Sequence, residues 1–172
     1  MPITTVDEAL AWLLSVGAPP RLVQHHALVA EAAAELLDSL EAWGSAFDSK
    51  SVLLGAALHD AGKLLHPGEM NGPGHRHERA GHDLLRTHGQ GSLARFCLSH
   101  ADWDRDDVPL EDLLVALADK LWKGKRVAAL ERRVVSRLAA VRDEEEWTTY
   151  AAIDPVFERV AARGDERLGR SW

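Results

Sequence analysis

Residues 52–63 read Val-Leu-Leu-Gly-Ala-Ala-Leu-His-Asp-Ala-Gly-Lys. Val52 to Leu58 is the longest uninterrupted apolar run in the chain, and Asp48 or Ser49 stands where a helix needs its N-cap. An apolar helix without a polar stripe must be covered on every side, so the pattern predicts a buried central helix closing at Gly62. His59 and Asp60 then end the most apolar helix of the molecule, where polar groups have to be satisfied or used. Adjacent helical positions stand about 100° apart, near the angle between neighbouring ligands of an octahedral ion, so a cation beside this helix end can take both side chains. A His and an Asp that cap the helix or pair with each other fit the dipeptide equally well.

The flanking sequence is helical throughout. Thr5-Val6-Asp7-Glu8 has the form of a capping box and opens a short helix carrying Leu10, Leu13 and Leu14, stopped by Gly17 and Pro19-Pro20. A longer helix is predicted from about Arg21 to Trp43, with Leu22, Val29, Leu36 and Leu40 on one face and alanines at 30 and 32–34 permitting close approach. His66 to Gly74 is dense in turn formers and reads as a loop. Helices follow from about His77 to Thr87, through Leu93, Phe96, Cys97 and His100, from about Leu110 to Trp122, from about Val127 to Val141, and more weakly after Asp154-Pro155; Arg163 to Trp172 are expected to fray. No segment sustains period-two alternation, so the fold class is all-α, a single-domain helical bundle.

Composition narrows the function. With 46% hydrophobic and 27% charged residues the chain is neither disordered nor membrane-embedded, and its N-terminus lacks the basic lead and apolar stretch of a secretory signal. The expected compartment is the cytoplasm, and the single Cys97 can form no internal disulfide. Twenty basic against 27 acidic residues give a net charge of -7, which argues against general nucleic-acid binding and leaves room for a small anionic substrate. Nine histidines are present, seven of them between His59 and His100, a density that structural roles do not explain.

Periodicity sorts these side chains in part. His25 and His26 flank the apolar stripe of their helix; one faces inward, and the spacing does not say which. His77 shares a face with Gly81 and Leu84, and His100 follows Leu93 and Phe96, so both point inward. His82 reads as surface, His75 as surface or substrate rim, and His88 as a helix-end cap. Asp119 lies beside the stripe of Val115, Ala118 and Trp122 on a helix apolar on two sides, where a carboxylate needs a cation, either Lys120, Lys123 or Arg126 or a metal. The basic run from Lys120 to Arg142 and the acidic connector from Asp102 to Asp112 read as solvated faces, although the part of the basic run nearest Asp119 can guide a phosphate.

Taken together, these segments resemble the HD-domain metal-dependent phosphohydrolase superfamily. His25-x-x-x-Val29-Ala30 is similar to its first histidine motif. Ala56 to Lys63 resembles the His-Asp-Ile-Gly-Lys signature, with Ala61 replacing the isoleucine. His77-x-x-x-Gly81, His100, and Leu117-Ala118-Asp119-Lys120-Leu121 with Gly124 and Arg126 resemble the remaining segments in order. The resemblance implies one HD-type domain over residues 1–172, with a motif-bearing core at about 20–126 and C-terminal helices at 127–172. It implies a divalent metal held by His25, His59, Asp60 and Asp119, and a second ion held by His77 and His100 with Asp60 bridging. The alternative is one ion, with His77 or His100 acting as acid or phosphate contact. The nitrogen and oxygen donors suit manganese, iron, zinc, nickel or magnesium without choosing among them. The implied reaction is cleavage of a phosphoester of a nucleotide or related small molecule by a metal-activated hydroxide, whether as monoesterase, diesterase or pyrophosphatase. Asp60 and Lys63 are assigned to the reaction, and Lys63, Lys123 and Arg126 to the phosphate, with an exposed helix-end lysine as the plainer reading of Lys63. A regulatory module that binds metal and nucleotide without hydrolysis, or a helical interaction domain with structural histidines, would use the same fold.

Overall fold

A computed structural model describes residues 1–172. Nine α-helices follow one another without a strand: α1 Val6–Ser15, α2 Pro20–Ser39, α3 Ser49–Leu58, α4 Arg76–Thr87, α5 Gly91–Ser99, α6 Leu110–Leu121, α7 Ala128–Val141, α8 Glu146–Ala162 and α9 Gly164–Gly169. None is long and apolar enough to cross a membrane.

The apolar run forms the hub. α3, capped by Asp48 donating no side chain hydrogen but accepting the Lys50 N–H, packs against α1, α2, α5 and α6. Val52, Leu54, Ala56, Ala57 and Leu58 are buried around its circumference. Gly55 is required there, because a Cβ would come within 2.8 Å of the Phe96 ring and of Val115 Cγ2. The close approach draws α5 and α6 onto α3, so that the ends of both helices arrive beside His59 and Asp60. Leu22, Val29 and Leu36 of α2 and Leu113, Leu117 and Leu121 of α6 complete the core on the other side.

Three boundaries differ from the sequence reading. α2 stops at Ser39, and residues 41–46 tighten into a 3₁₀ turn that buries Trp43. α8 begins at Glu146 and runs through Pro155, whose lost N–H is outweighed by burial of Ile153, Val156, Phe157 and Val160 along the same helix. Residues 163–172 do not fray. α9 is pinned to α2 by Arg167, which is 0% exposed. Its guanidinium donates to Val160 O at 2.8 Å, to Glu35 Oε2 at 2.6 Å and to Glu31 Oε1 at 3.4 Å. Arg170 adds two bonds to Glu31, and Arg163 pairs with Glu35. Gly164 packs directly on the backbone of Gly124, whose φ of 78° turns the chain after α6.

Candidate metal centre

Five helices deliver the chemistry. α2 carries His25 and His26 in its second turn; His59 caps the C-terminus of α3 and Asp60 follows; His77 opens α4; His100 caps α5; and Asp119 lies in the last turn of α6. Carbonyls near helix C-termini keep spare acceptor capacity, and the histidines use it. His59 Nδ1 donates to Ala56 O at 2.9 Å and His100 Nδ1 to Phe96 O at 3.0 Å. Each bond holds a proton on Nδ1 and turns Nε2 inward. His77 is fixed in the same sense by a carboxylate, its Nδ1 lying 2.6 Å from Glu69 Oε2.

These Nε2 atoms, with that of His25, converge on Asp60. Its Oδ2 is 3.0 Å from His25 Nε2 and 3.5 Å from His59 Nε2; its Oδ1 is 3.2 Å from His77 Nε2 and 3.3 Å from His100 Nε2. Asp119 Oδ1 approaches His59 Nε2 at 3.3 Å. Two sets of donor atoms result, His25–His59–Asp60–Asp119 and Asp60–His77–His100, and within each set the atoms lie within 4.8 Å of one another. His59 Nε2 and Asp60 Oδ1 are buried without a hydrogen-bond partner. Leaving such groups unpaired is costly, and both are Lewis bases, so the donor sets fit divalent cations.

Electrostatics holds the donors ready. Burial works to raise the pKa of Asp60, but His59, His100, His25 and His77 overcome it and hold the carboxyl well below the usual range. Asp119 is held low in the same way, burial being outweighed by His59 and then by Lys120. Desolvation by burial lowers the pKa of His59 against the pull of Asp60 and Asp119. For His77 and His100 burial opposes the charged form and Asp60 overcomes it, raising both. A cation held by these two nitrogens would compete with protons for them, so its uptake would strengthen as pH rises.

The structure separates the two histidines that periodicity left open. His26 is fully buried behind Asp60: its Nδ1 donates to Leu22 O at 3.0 Å, and its Nε2 accepts the Asp60 backbone N–H at 3.2 Å. His25 points to the cleft. Both of His26's ring nitrogens are used, so it is a positioning residue for Asp60.

The HD domain model matches residues 22–122, more than half of the chain and all six donors. The chain belongs to the HD-domain family. No curated protein and no solved structure matches it. The HD domain marks a superfamily of metal-dependent phosphohydrolases, and the buried His and Asp groups found here suit its metal dependence.

All the HD-domain donors except the fully buried His59 line a cleft of about 480 Å³, a volume typical of small-molecule sites. Lys63, Lys120 and Lys123 line it with them. Lys63 Nζ is 2.6 Å from Asp60 Oδ2, and Lys120 Nζ is 3.0 Å from Asp119 Oδ2, so the salt bridge considered for Asp119 is present alongside the donor geometry. Burial lowers the pKa of Lys123. Arg126, expected near the phosphate, does not line the cleft. Gly124 turns the chain away after α6, and the Arg126 guanidinium is taken up by Glu131 at 2.6 and 2.9 Å, Asp154 at 2.6 Å and Glu158 at 2.7 Å. His75 stands on the rim, His82 pairs with Asp83, and His88 donates to Leu84 O. The acidic connector lies elsewhere, its carbonyls at Trp103, Arg105, Asp106 and Val108 bound by Arg133 and Arg137.

Glu69 escaped the sequence reading. It sits in the turn-rich loop, yet its carboxylate accepts the N–H of Arg76 at 3.2 Å and of His77 at 3.0 Å, capping α4, while holding the His77 ring. Hydrogen bonding from His77 is the chief cause that takes its pKa down to about 2. Glu69→Gln keeps the shape and removes the charge. Metal affinity or turnover is expected to fall about 10- to 100-fold, the usual effect of losing a partner behind a metal ligand. The sign with pH follows from linkage: a carboxylate whose folded pKa lies below its ordinary 4.5 stabilises above that value and loses the contribution as pH falls toward 2. In metal-free protein the Tm gap between wild type and Glu69→Gln is therefore expected at pH 7 and should close on acidification; thermal melts across pH check it.

Proposed function

We propose that this HD domain is a metal-dependent phosphohydrolase acting on a phosphoester of a nucleotide or related small molecule in the cytoplasm. Residues 1–172 serve as one domain, with the core at about 20–126 supplying every donor. The observation that carries this reading is the position of Asp60, whose two oxygens face two different donor sets. That arrangement favours two ions with Asp60 between them, His25, His59 and Asp119 completing one set and His77 and His100 the other. A divalent ion, when bound, supplies Lewis-acid activation of water and neutralises charge on phosphoryl oxygens. The chain's own residues do the rest. Lys63 and Lys120 are ion-paired with Asp60 and Asp119, and with those carboxylates engaged by cations both ammonium groups would be available to the phosphate. Lys123, exposed on the same wall, adds a third donor. His26 and Glu69 hold Asp60 and His77 in register without touching substrate.

The test is a panel of phosphomonoesters, phosphodiesters and nucleoside triphosphates with chelator-stripped protein, with and without added manganese. Phosphate or nucleotide release that requires manganese, stops with EDTA and is lost in His59→Ala is the expected result. Stoichiometric metal with no product from any substrate would favour a regulatory module, and undiminished turnover in His59→Ala would reject the site.

A further inference from the structure

The cleft is too large for a phosphate alone, and its far side comes from outside the residues that carry the donors. Leu168, Ser171 and Trp172, brought there by α9, face Met70 and Asn71 of the 66–74 loop. Arg21 joins the two: its guanidinium lies 4.4 Å from the centroid of the Trp172 ring and donates to Asn71 Oδ1 at 2.9 Å. Trp172 is nonetheless 83% exposed, so a large flat ring is held at the mouth of the cleft with most of its surface uncovered. The holding is extensive. Arg167 and Arg170 anchor α9 to Glu31 and Glu35, and Gln24 Nε2 donates to Arg170 O at 3.0 Å. None of these contacts is made to a metal donor itself.

We propose that Trp172, backed by Arg21, is the stacking platform for a flat heterocyclic ring of the ligand, so that the ligand is a nucleoside phosphate whose base lies on Trp172 and whose phosphate lies on Lys63 and Lys120. This rests on the phosphoester reading above and deepens it by naming which half of the substrate sets specificity. A ring on Trp172 removes apolar surface from water and gains offset stacking, while Met70 and Leu168 cover its edge. A sugar phosphate offers the lysines the same charge and leaves the platform bare.

The experiment compares dissociation constants for the non-hydrolysable phosphonate analogues of adenosine 5′-monophosphate and ribose 5-phosphate by titration calorimetry on manganese-loaded protein, where Lys63 and Lys120 are no longer needed by Asp60 and Asp119 and no hydrolysis competes. The nucleotide is expected to bind at least about tenfold tighter in wild type. Trp172→Ala should cut that ratio about 5- to 100-fold, the range a base–aromatic stack is worth, and Trp172→Phe should restore most of it. Because Trp172 is exposed, the substitution leaves the core untouched. Equal affinities in wild type, a ratio unmoved by Trp172→Ala, or no measurable nucleotide binding overturns the assignment. Turnover by manganese-loaded protein is scored separately: a platform without turnover sinks the hydrolase reading alone, and turnover without discrimination sinks the platform alone.

Discussion

Asp60→Asn is expected to empty both donor sets at once and to lower kcat/KM by about 10³-fold or more, equivalent to about 4 kcal/mol of transition-state stabilisation. The reason is its place in the geometry: it is the one side chain common to His25–His59–Asp60–Asp119 and Asp60–His77–His100. Asparagine has nearly the same shape, but it carries no charge and turns one carboxylate oxygen into an N–H donor aimed at imidazole nitrogens 3.0–3.5 Å away. Asp119→Asn supplies the contrast. Asp119 touches His59 and Lys120 but belongs to one set only, so its loss should weaken one ion and leave the other. Elemental analysis after dialysis, paired with kinetics, checks both variants. Two ions retained by Asp60→Asn would contradict the shared-carboxylate arrangement.

The second large effect is expected at Gly62, which has no side chain to lose. A Cβ there would strike the carbonyl oxygen of His77 and stand 2.5 Å from the Gly81 amide nitrogen, and a Cβ on Gly81 would in turn come within 2.8 Å of the Gly62 nitrogen. Both obstacles are backbone, so no rotamer change relieves them. The 3₁₀ turn of residues 61–64 and α4 are therefore held in contact by two facing glycines. Gly62→Ala must push α4 outward and take His77 away from Asp60. Overpacking of this kind costs about 1–3 kcal/mol, occasionally more, which a urea titration of metal-free protein reads as a lower midpoint with an unchanged slope. The His25–His59–Asp119 side lies on other helices and is expected to keep its ion while the His77–His100 side loses affinity. Wild-type stability together with both ions would show that the glycine contact does not set the spacing.

What could be read from the chain without coordinates follows a physical line. α3 was legible because an unbroken apolar run must be covered all round, and the donors were legible because they sit in the ordered motifs His25, His59-Asp60, His77, His100 and Asp119. Local periodicity could not choose between His25 and His26, because both face inward and differ only in whether they reach the cleft or the Asp60 amide. Glu69 was hidden since its partner is eight residues on, across a loop whose path no local pattern specifies. The order of α9 was equally hidden. Glu31 and Glu35, and Arg163, Arg167 and Arg170, show helical spacing on their own segments, but their match spans more than 130 residues of chain. Arg126 was misplaced for the converse reason, as nearness in sequence to Asp119 suggested nearness in space, and Gly124 turns it away toward three carboxylates.

Anomalous diffraction from crystals grown with manganese puts the metal assignment at greatest risk. Two peaks are expected, one about 2 Å from the facing donor atoms of His25, His59, Asp60 and Asp119, the other about 2 Å from those of Asp60, His77 and His100, with Lys63 and Lys120 drawn off their carboxylates. No peak among these side chains in crystals soaked to saturation, or peaks only at surface carboxylates, would mean that the buried His and Asp groups serve the fold rather than a cation.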